Sequence, residues 1–228
     1  MTDEGIRLAK RVAEVAGCSR AEAERYIAGG WVSVDGVVTE DPASRVTPAQ
    51  AVALLPGATP DEPEPVTILL HKAAGVEIEA ALAAITPEAQ VLDNGRGKRF
   101  LRRHLHKLAV ATPLETMASG LVVFSQDWRV LRKLVEDAPR NEYEYVAEVE
   151  GRIADGGLDK LGRMFRASWQ SEARLRIAGK NIQRGQIERL CGDVGLKVTA
   201  LRRLRIGRIP MGALAPGAWR YLREVERF

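Results

Sequence analysis

Apolar residues at helical spacing predict a helix near the start of the chain. Three of them recur every three to four residues: Leu8, Val12 and Val15. Gly17 ends this run, and Ser19 then stands three residues before Glu22, the capping-box spacing that opens a second helix. Gly29-Gly30 ends the second pattern, so two short helices in succession are predicted.

A hairpin follows the second helix. Trp31–Val34 and Val37–Val38 flank Asp35-Gly36, a pair that tolerates the positive φ of a tight two-residue turn. The order helix, helix, strand, strand predicts a small α-α-β-β domain over residues 1–55. Residues 56–65, PGATPDEPEP, hold four prolines and three acids without periodicity, which is typical of a stiff acidic linker.

From residue 66 onward, strand-like and helix-like segments are mixed. Apolar runs predict strands at 66–72, 120–127 and 143–149. Helices are predicted at 78–85, which is rich in alanine, and at 128–135. The sequence therefore predicts an α+β protein with a larger second domain over residues 66–228.

Charge is distributed unevenly along the chain. The 228 residues are 46% apolar with a net charge of +4, which excludes disorder of the whole chain. Residues 1–55 carry six basic and eight acidic residues, whereas residues 66–228 carry 28 and 19. Residues 94–107 hold six Lys or Arg and no acid, and residues 194–223 hold seven and no acid. Such runs are typical of binding to a phosphate backbone, although pairing with acids distant in sequence is the alternative.

The chemistry of the remaining residues narrows the class of protein. Cys18 and Cys191 stand far apart, which favours a reducing compartment and no disulfide scaffold. No apolar run approaches the length of about 18 residues that a membrane span needs. We therefore expect a cytoplasmic protein without membrane association.

The first domain resembles the αL RNA-binding domain first known from a small-subunit ribosomal protein. The resemblance lies in residues 7–36: basic residues on the first helix, Gly-x-Ser-Arg before the second, and a Val-x-Val-Asp-Gly hairpin. It implies contacts with RNA phosphates, because donors fixed at adjacent helix starts can hold a backbone without reading its sequence. The implied residues are Arg7, Lys10, Arg11, Ser19 and Arg20; a solvated face is the alternative for these side chains.

The second domain resembles the RsuA-type ribosomal RNA pseudouridine synthases. Three segments carry the resemblance: ILLHKAAGV (68–76), TPLETMASGLVVFSQD (112–127) and the stretch from GQIERLC to PGAWRYL (185–222). The family implies a larger domain with a mixed, mainly antiparallel sheet flanked by helices, and chemistry without a metal or cofactor. In that family an aspartate attacks or deprotonates at the ribose of a flipped uridine, and the base reattaches through carbon.

The residue aligned with the family's aspartate is Glu115. Glutamate keeps the carboxylate but extends it by one methylene, about 1.5 Å, and displacements of about 1 Å can cost on the order of a hundredfold in rate. The family's arginine and threonine in this motif align with Pro113 and Ala118. Tyr145 aligns with the tyrosine that packs on the flipped base and can take part in proton transfer.

The resemblance and the basic runs together predict the site residues. Glu115 and Tyr145 are the predicted catalytic pair. In the segment 179–187 either Lys180 or Arg184 is the candidate for the family's basic residue, and the alignment does not choose between them. Contacts with RNA in the second domain are predicted at Lys72, Lys180, Arg184, Arg189, Arg202 and Arg203.

Two functions follow from this reading, and a third is less specific. The first is isomerisation of a uridine in ribosomal RNA with Glu115 as the catalytic carboxylate. The second is an inactive relative that binds RNA as an assembly factor, since three motif positions depart from the family. The third, a general basic RNA chaperone, predicts weak discrimination between RNAs. We expect a monomer with ribosomal RNA as its partner.

Overall fold

The computed structural model describes residues 5–92 and 97–228, which form two compact units. The first unit combines Met1–Pro65 with Arg99–Lys107, and the second combines Val66–Lys98 with Leu108–Phe228. The basic run predicted at 94–107 is therefore divided. Residues 94–96 lie outside the described residues, and residues 99–107 belong to the first unit although they are inserted between strands of the second.

The first unit contains the two predicted helices and five short strands. The helices are α1 (Leu8–Ala16) and α2 (Arg20–Ala28), and the strands are β1 (Ile6–Arg7), β2 (Val32–Val34), β3 (Val37–Val38), β4 (Arg45–Val46) and β5 (Val52–Leu54). The capping box is confirmed: Glu22 N–H donates to Ser19 Oγ at 3.2 Å, and Ser19 N–H donates to the Glu22 carboxylate at 2.8 Å. Gly17 ends α1 with φ 63°, a value that favours glycine.

The predicted hairpin is confirmed as well. Asp35 and Gly36 have φ values of 51° and 82°, as a turn with two left-handed residues requires. Strand β2 pairs with β3 and also with β5, antiparallel in both cases. The unit's core consists of fully or almost fully buried apolar residues from the helices and strands: Leu8, Ala9, Val12, Ala23, Ile27, Val32 and Val46.

The second unit is built on a large sheet. Its strands are β6 (Thr67–Lys72), β7 (Ala109–Val110), β8 (Ser119–Ser125), β9 (Glu142–Gly151), β10 (Arg166–Ser171), β11 (Arg174–Lys180), β12 (Leu196–Ile206), β13 (Ile209–Pro210) and β14 (Trp219–Tyr221). The main order is β10-β11-β9-β12-β8-β6-β14, with β13 on β12 and β7 on β8. Strands β12 and β8 are parallel and the other strand pairs of this sheet are antiparallel, which confirms the predicted mixed, mainly antiparallel sheet.

Helices flank this sheet. They are α3 (Ile78–Ala83), α4 (Trp128–Leu131), α5 (Gly157–Gly162) and α6 (Gln186–Gly192). Shorter 3₁₀ turns occur at Pro87–Ala89, Arg102–Leu105 and Ala138–Arg140, the second of them in the first unit. The helix predicted at 128–135 changes at Arg132 into a π-helical segment, Arg132–Glu136, a departure that is frequent at functional sites. No helix in the described ranges is long and apolar enough to cross a bilayer.

A glycine allows the parallel contact in the middle of the sheet. Gly120 on β8 lies opposite Arg203 on β12 and has φ 114°. A Cβ added at Gly120 would stand 2.2 Å from the Arg203 carbonyl oxygen. Only a residue without a side chain permits this approach, which brings β12 against the strand that follows the Glu115 segment.

The faces of β9 carry different side chains. Tyr145, Ala147 and Val149 point into a core shared with α5 and α6. Glu142 and Glu144 alternate with these residues and bind arginines of neighbouring strands, as alternation along a strand dictates. One face of β9 is thus apolar and covered, and the other carries ion pairs.

Candidate active site

The second unit contains a cavity of about 770 Å³. Its lining comes from the loop before β8, from β9, from the segment before α6 and from the π-helical segment. The lining includes Thr112, Glu115, Thr116, Tyr143, Tyr145, Arg184 and Arg203. The volume lies within the range of about 300–1,000 Å³ that is typical of small-molecule sites.

Glu115 lies on a turn between β7 and β8. Ala118 N–H donates to the Glu115 carbonyl at 3.1 Å, which closes the turn. Thr116 Oγ1 donates to the Glu77 carboxylate at 2.8 Å, and Gly75 N–H donates to the Thr116 carbonyl at 2.8 Å. The residue after Glu115 is therefore held through both its side chain and its main chain.

Lys72 is buried and binds the main chain of the same turn. Its ammonium donates to the carbonyls of Thr116 at 2.9 Å, Val76 at 2.8 Å and Ala73 at 3.0 Å. Only 1% of the residue is exposed, and burial lowers the pKa of the ammonium although Glu77 opposes this effect. The prediction that Lys72 contacts RNA is corrected by this geometry, because all three donors of the ammonium are engaged by main-chain oxygens.

Arg203 is the second buried cation beside the turn, with 3% of the residue exposed. Its Nε donates to the Leu121 carbonyl at 2.7 Å, and its terminal nitrogens donate to the carbonyls of Thr112 at 2.7 Å and Pro113 at 3.2 Å. The prediction that Arg203 contacts a phosphate is corrected in the same way. Lys72 and Arg203 together form what we call the loop clamp, since they hold the main chain on both sides of Glu115.

The Glu115 carboxylate points to the start of α6. Its Oε1 accepts a hydrogen bond from Gly185 N–H at 2.9 Å and lies 3.7 Å from Nε of Arg184. The carboxylate is 29% exposed and the Arg184 side chain is 82% exposed, so both remain accessible from the cavity mouth. Of the two basic candidates in the segment 179–187, Arg184 is the one beside Glu115. Lys180 is exposed at the end of β11, where its charge acts on Glu142.

Two tyrosines of β9 line the cavity. Tyr145 is 7% exposed and lies opposite Arg203 in the strand register. Tyr143 is two residues away on the same face, and the Arg203 guanidinium carbon lies 5.8 Å from its ring centroid. Burial raises the pKa of the Tyr143 hydroxyl, although Arg203 opposes this effect, so that side chain is neutral at physiological pH.

The remaining predicted residues of the second unit lie on its surface. Arg189 is exposed on α6, and Arg202 is exposed on β12. Neither side chain lines the cavity, and the contact of both with RNA stays a prediction.

The predicted RNA contacts of the first unit surround the start of each helix. Arg7 and Lys10 are exposed, and Arg11 lies 3.6 Å from Glu14. Arg20 pairs with Glu24 at 3.0 Å on the surface. Ser19 caps α2, so its hydroxyl oxygen already accepts a hydrogen bond from within the helix. Two of these cations, Arg11 and Arg20, are in surface ion pairs of small energy, and their contact with RNA stays a prediction.

A comparison with protein families matches residues 6–52 to the S4 domain. A solved structure described as a pseudouridylate synthase superposes with a TM-score of 0.56 at 17% identity and covers 96% of each chain, a likeness that concerns the fold. The chain carries an S4 domain and has the fold of a pseudouridine synthase. Both predicted resemblances are thereby confirmed at the level of domain and fold.

Several similar proteins match this chain over nearly its whole length. The ribosomal small subunit pseudouridine synthase A of Escherichia coli is 27% identical and that of Salmonella typhimurium 26%, each match covering 97% of this chain and 98% of the relative. An uncharacterised RNA pseudouridine synthase of Mycobacterium bovis is 27% identical, over 97% of this chain and 91% of that protein.

Several residues of the candidate site were not found from the sequence. Gly185 donates to Glu115 through its main chain, and Thr112 contributes a carbonyl and a hydroxyl to Arg203, so neither role depends on a recognisable side-chain pattern. Glu77 reaches Thr116 from 39 positions away. Among the described residues, no three His, Cys, Asp or Glu side chains come together as a candidate metal site.

Proposed function

We propose that the protein isomerises a uridine of ribosomal RNA to pseudouridine, with Glu115 as the catalytic carboxylate. The observation that carries the proposal is the Glu115 carboxylate, which lies on the cavity wall beside Arg184 in a chamber shared with Tyr145. The relatives support the substrate class, because two of them are named as synthases of the ribosomal small subunit and match 97% of this chain.

The reaction needs one carboxylate and no net change in atoms. The bond between the ribose C1′ and N1 of uracil breaks, the base turns within the cavity, and a bond forms between C1′ and C5. The proton lost from C5 is balanced by the proton gained at N1. Glu115 acts at the ribose, either as the nucleophile at C1′ or as a base, and Arg184 Nε lies 3.7 Å from its carboxylate.

Restraint of the carboxylate compensates for the longer glutamate side chain. The turn that carries Glu115 is fixed by Lys72 and Arg203, and the Gly185 amide binds the carboxylate itself at 2.9 Å. A flexible acid with an extra methylene is thus held at both ends. Preorganisation of this kind recovers the alignment that a floppier side chain would otherwise lose.

Tyr145 and the cavity wall receive the base. The tyrosine ring presents an apolar surface in a chamber that is large enough for a nucleoside, and stacking on an aromatic ring contributes about 1–3 kcal/mol per base. Extrusion of the base from its stack costs a few kcal/mol and costs least in an unpaired loop. The expected substrate is therefore a uridine in a single-stranded or locally unstacked element.

Substitution of Glu115 tests the proposal. We expect Glu115→Gln to reduce turnover on small-subunit rRNA transcripts by at least about a thousandfold, because the group that acts at the ribose is lost. Affinity for the same transcript and the thermal unfolding midpoint should stay close to those of the unaltered protein. Glu115→Asp is the conservative partner and should keep measurable turnover.

Pseudouridine mapping in rRNA from a deletion strain is the second arm of this experiment. The proposal expects one or more modified positions to revert to uridine in that strain and to be restored by the unaltered gene but not by Glu115→Gln. Turnover of the Glu115→Gln protein at the unaltered rate would contradict the catalytic role. A purified protein that binds the transcript without turnover, together with an unchanged map, would point to the RNA-binding assembly factor.

A further inference from the structure

Residues 99–107 are built into the S4-containing unit. Leu101 is 7% exposed. Its Cδ2 lies only 2.9 Å from the position that a Cβ on Gly30 would take. His104 is 2% exposed and its Nδ1 accepts a hydrogen bond from Leu101 N–H at 3.3 Å. Leu101 therefore anchors the segment against Gly30, and the buried His104 ring fixes the turn within the segment.

Acids of the first unit bind the same segment. The main-chain N–H of Arg102 donates to the Glu40 carboxylate at 2.7 Å. Arg103 is partly buried, which lowers the pKa of its guanidinium, and the charges of Glu40, Asp61 and Glu64 oppose that effect. Two acids of the predicted linker, Asp61 and Glu64, thus act on a cation of the segment.

The other cations of the segment point outward. Arg99, Arg102 and Lys107 are exposed, and residues 97–107 contain no acid. The guanidinium of Arg99 lies near Gly30, as Leu101 does. One of its terminal nitrogens is 3.6 Å from the position that a Cβ on Gly30 would take. The apolar contacts hold the segment in place, while its exposed charges have a single sign.

Exposed cations on a segment without acids of its own fit a phosphate backbone. Protein interfaces depend on an apolar core with charged residues depleted, whereas contacts to RNA phosphates need fixed cations and little apolar area. Here the apolar side chain of Leu101 is consumed inside the unit, and Arg99, Arg102 and Lys107 remain for the ligand. Arginine in particular suits phosphate oxygens, because its planar fork can donate two parallel hydrogen bonds.

We infer that residues 99–107 extend the RNA-binding surface of the S4-containing unit, and that Arg99, Arg102 and Lys107 bind phosphates of the substrate RNA. The S4 match covers residues 6–52 only, so this surface comes from a part of the chain outside that domain. The inference rests on the proposed function in that both take RNA as the ligand, but it does not depend on any step at Glu115.

A charge-matched pair of triple variants tests the inference in the full-length protein. The test variant carries Arg99→Gln, Arg102→Gln and Lys107→Gln. The control carries Arg152→Gln, Lys160→Gln and Arg163→Gln, which remove the same two arginines and one lysine from exposed positions around α5. The affinity of each protein for a labelled small-subunit rRNA fragment is measured between 50 and about 300 mM KCl, a range over which phosphate contacts weaken steeply.

We expect the test variant to bind at least about tenfold more weakly at 0.1 M salt and its log–log salt slope to fall by about 2, because roughly 0.7–0.9 of a unit is lost per phosphate contact. The control should stay within about twofold. An unchanged slope in the test variant, or equal losses in both triples, would overturn the inference. If the test triple lowers the thermal midpoint by more than a few degrees, the single variants Arg99→Gln and Lys107→Gln replace it.

The two proposals fail in different ways. Loss of affinity in the test triple with no turnover in the unaltered protein would leave the inference standing and reject the catalytic proposal. Unchanged affinity with normal turnover would do the reverse. A protein that does not bind the rRNA fragment more tightly than a random RNA of equal length would reject both.

Discussion

Arg203 and Arg205 are two positions apart on β12 but bind different kinds of partner on opposite faces of the sheet. Arg203 faces the cavity and binds main-chain carbonyls of the Glu115 turn, whereas Arg205 faces the other side of the sheet and binds Glu142 and Glu144. A regular strand would place both on one face. The register against β9 shifts between them, since Arg203 pairs with Tyr145 and Arg205 with Glu144, and this bulge turns the second arginine over.

The two regions hold buried charge in different ways. In the loop clamp, Lys72 and Arg203 bind oxygens that carry no net charge, so their positive charge remains beside the cavity. In the ion-pair network, formed by Glu142, Glu144, Arg176 and Arg205, each carboxylate meets arginines at 2.7 to 2.9 Å. The clamp therefore fixes a loop through uncharged main-chain oxygens, while the network neutralises itself and ties strands together.

Arg203→Met should have the largest effect on stability. Methionine fills similar space but leaves the carbonyls of Thr112, Pro113 and Leu121 without their donor, and a buried unsatisfied polar group costs on the order of 1–3 kcal/mol. We expect a loss of about 3 kcal/mol in the free energy of unfolding, measured by urea denaturation. Since arginine stays charged at all ordinary pH values, the loss should be similar at pH 7 and pH 4.

The neighbouring arginine provides the control for this prediction. Arg202 is exposed on the same strand, and Arg202→Met should change the free energy of unfolding by no more than about 0.5 kcal/mol. Equal losses in the two variants would mean that replacing any arginine of β12 has this effect, and that the hydrogen bonds of Arg203 are not its cause. If Arg203→Met does not fold, Arg203→Lys keeps the charge, loses the forked geometry and should retain part of the stability.

Lys72→Met should have the next largest effect on stability, and it should also lower the catalytic rate. Loss of three hydrogen bonds to Ala73, Val76 and Thr116 removes the support under the residue that follows Glu115. We expect a loss of about 2 kcal/mol in stability and a fall in kcat of about tenfold or more with little change in KM. Lys197→Met, at an exposed position of β12, is the control that should affect neither. An unchanged kcat in a folded Lys72→Met protein would separate the clamp from catalysis.

The elements that the sequence predicted are those with local causes. The capping box at Ser19 and the Asp35-Gly36 hairpin each depend on neighbours a few positions apart, and both are present. In the candidate site, the sequence identified only residues that belong to recognisable motifs. Glu115 and Tyr145, and Arg184 as one of the two basic candidates, line the cavity, but a motif does not show that Lys72 is buried under the turn.

The remaining features depend on contacts that no local pattern encodes. The bulge after Arg203 follows from the fit between β12 and its neighbours, and alternation by itself predicts the wrong face for Arg205. The attachment of residues 99–107 to the first unit depends on Leu101 meeting Gly30 across 71 positions of sequence. A run of basic residues looks the same whether its members bind carbonyls, acids or RNA, so composition could not separate Arg203 from Arg99.

Glu144→Gln should have the smallest effect of the three, and its dependence on pH completes the contrast. Hydrogen bonds from Arg176, and next from Arg205, hold the pKa of Glu144 below its ordinary value against the opposing effect of burial. A carboxyl whose pKa is lowered on folding stabilises the protein above its ordinary pKa, and this contribution is lost as the pH falls through the lowered value. We expect a loss of about 1–2 kcal/mol at pH 7 that disappears in acid, where the carboxyl is protonated in both states.

Glu150→Gln controls for the strand, since Glu150 lies on the same face of β9 and is exposed. Unfolding of both variants and of Arg203→Met is compared at pH 7 and at the lowest pH at which the unaltered protein stays folded. A Glu144→Gln deficit that persists undiminished in acid would show that the hydrogen-bond geometry, rather than the charge, stabilises this face. A deficit for Arg203→Met that vanished with it would mean that the two arginines belong to one network, and the distinction between clamp and ion pairs would fail.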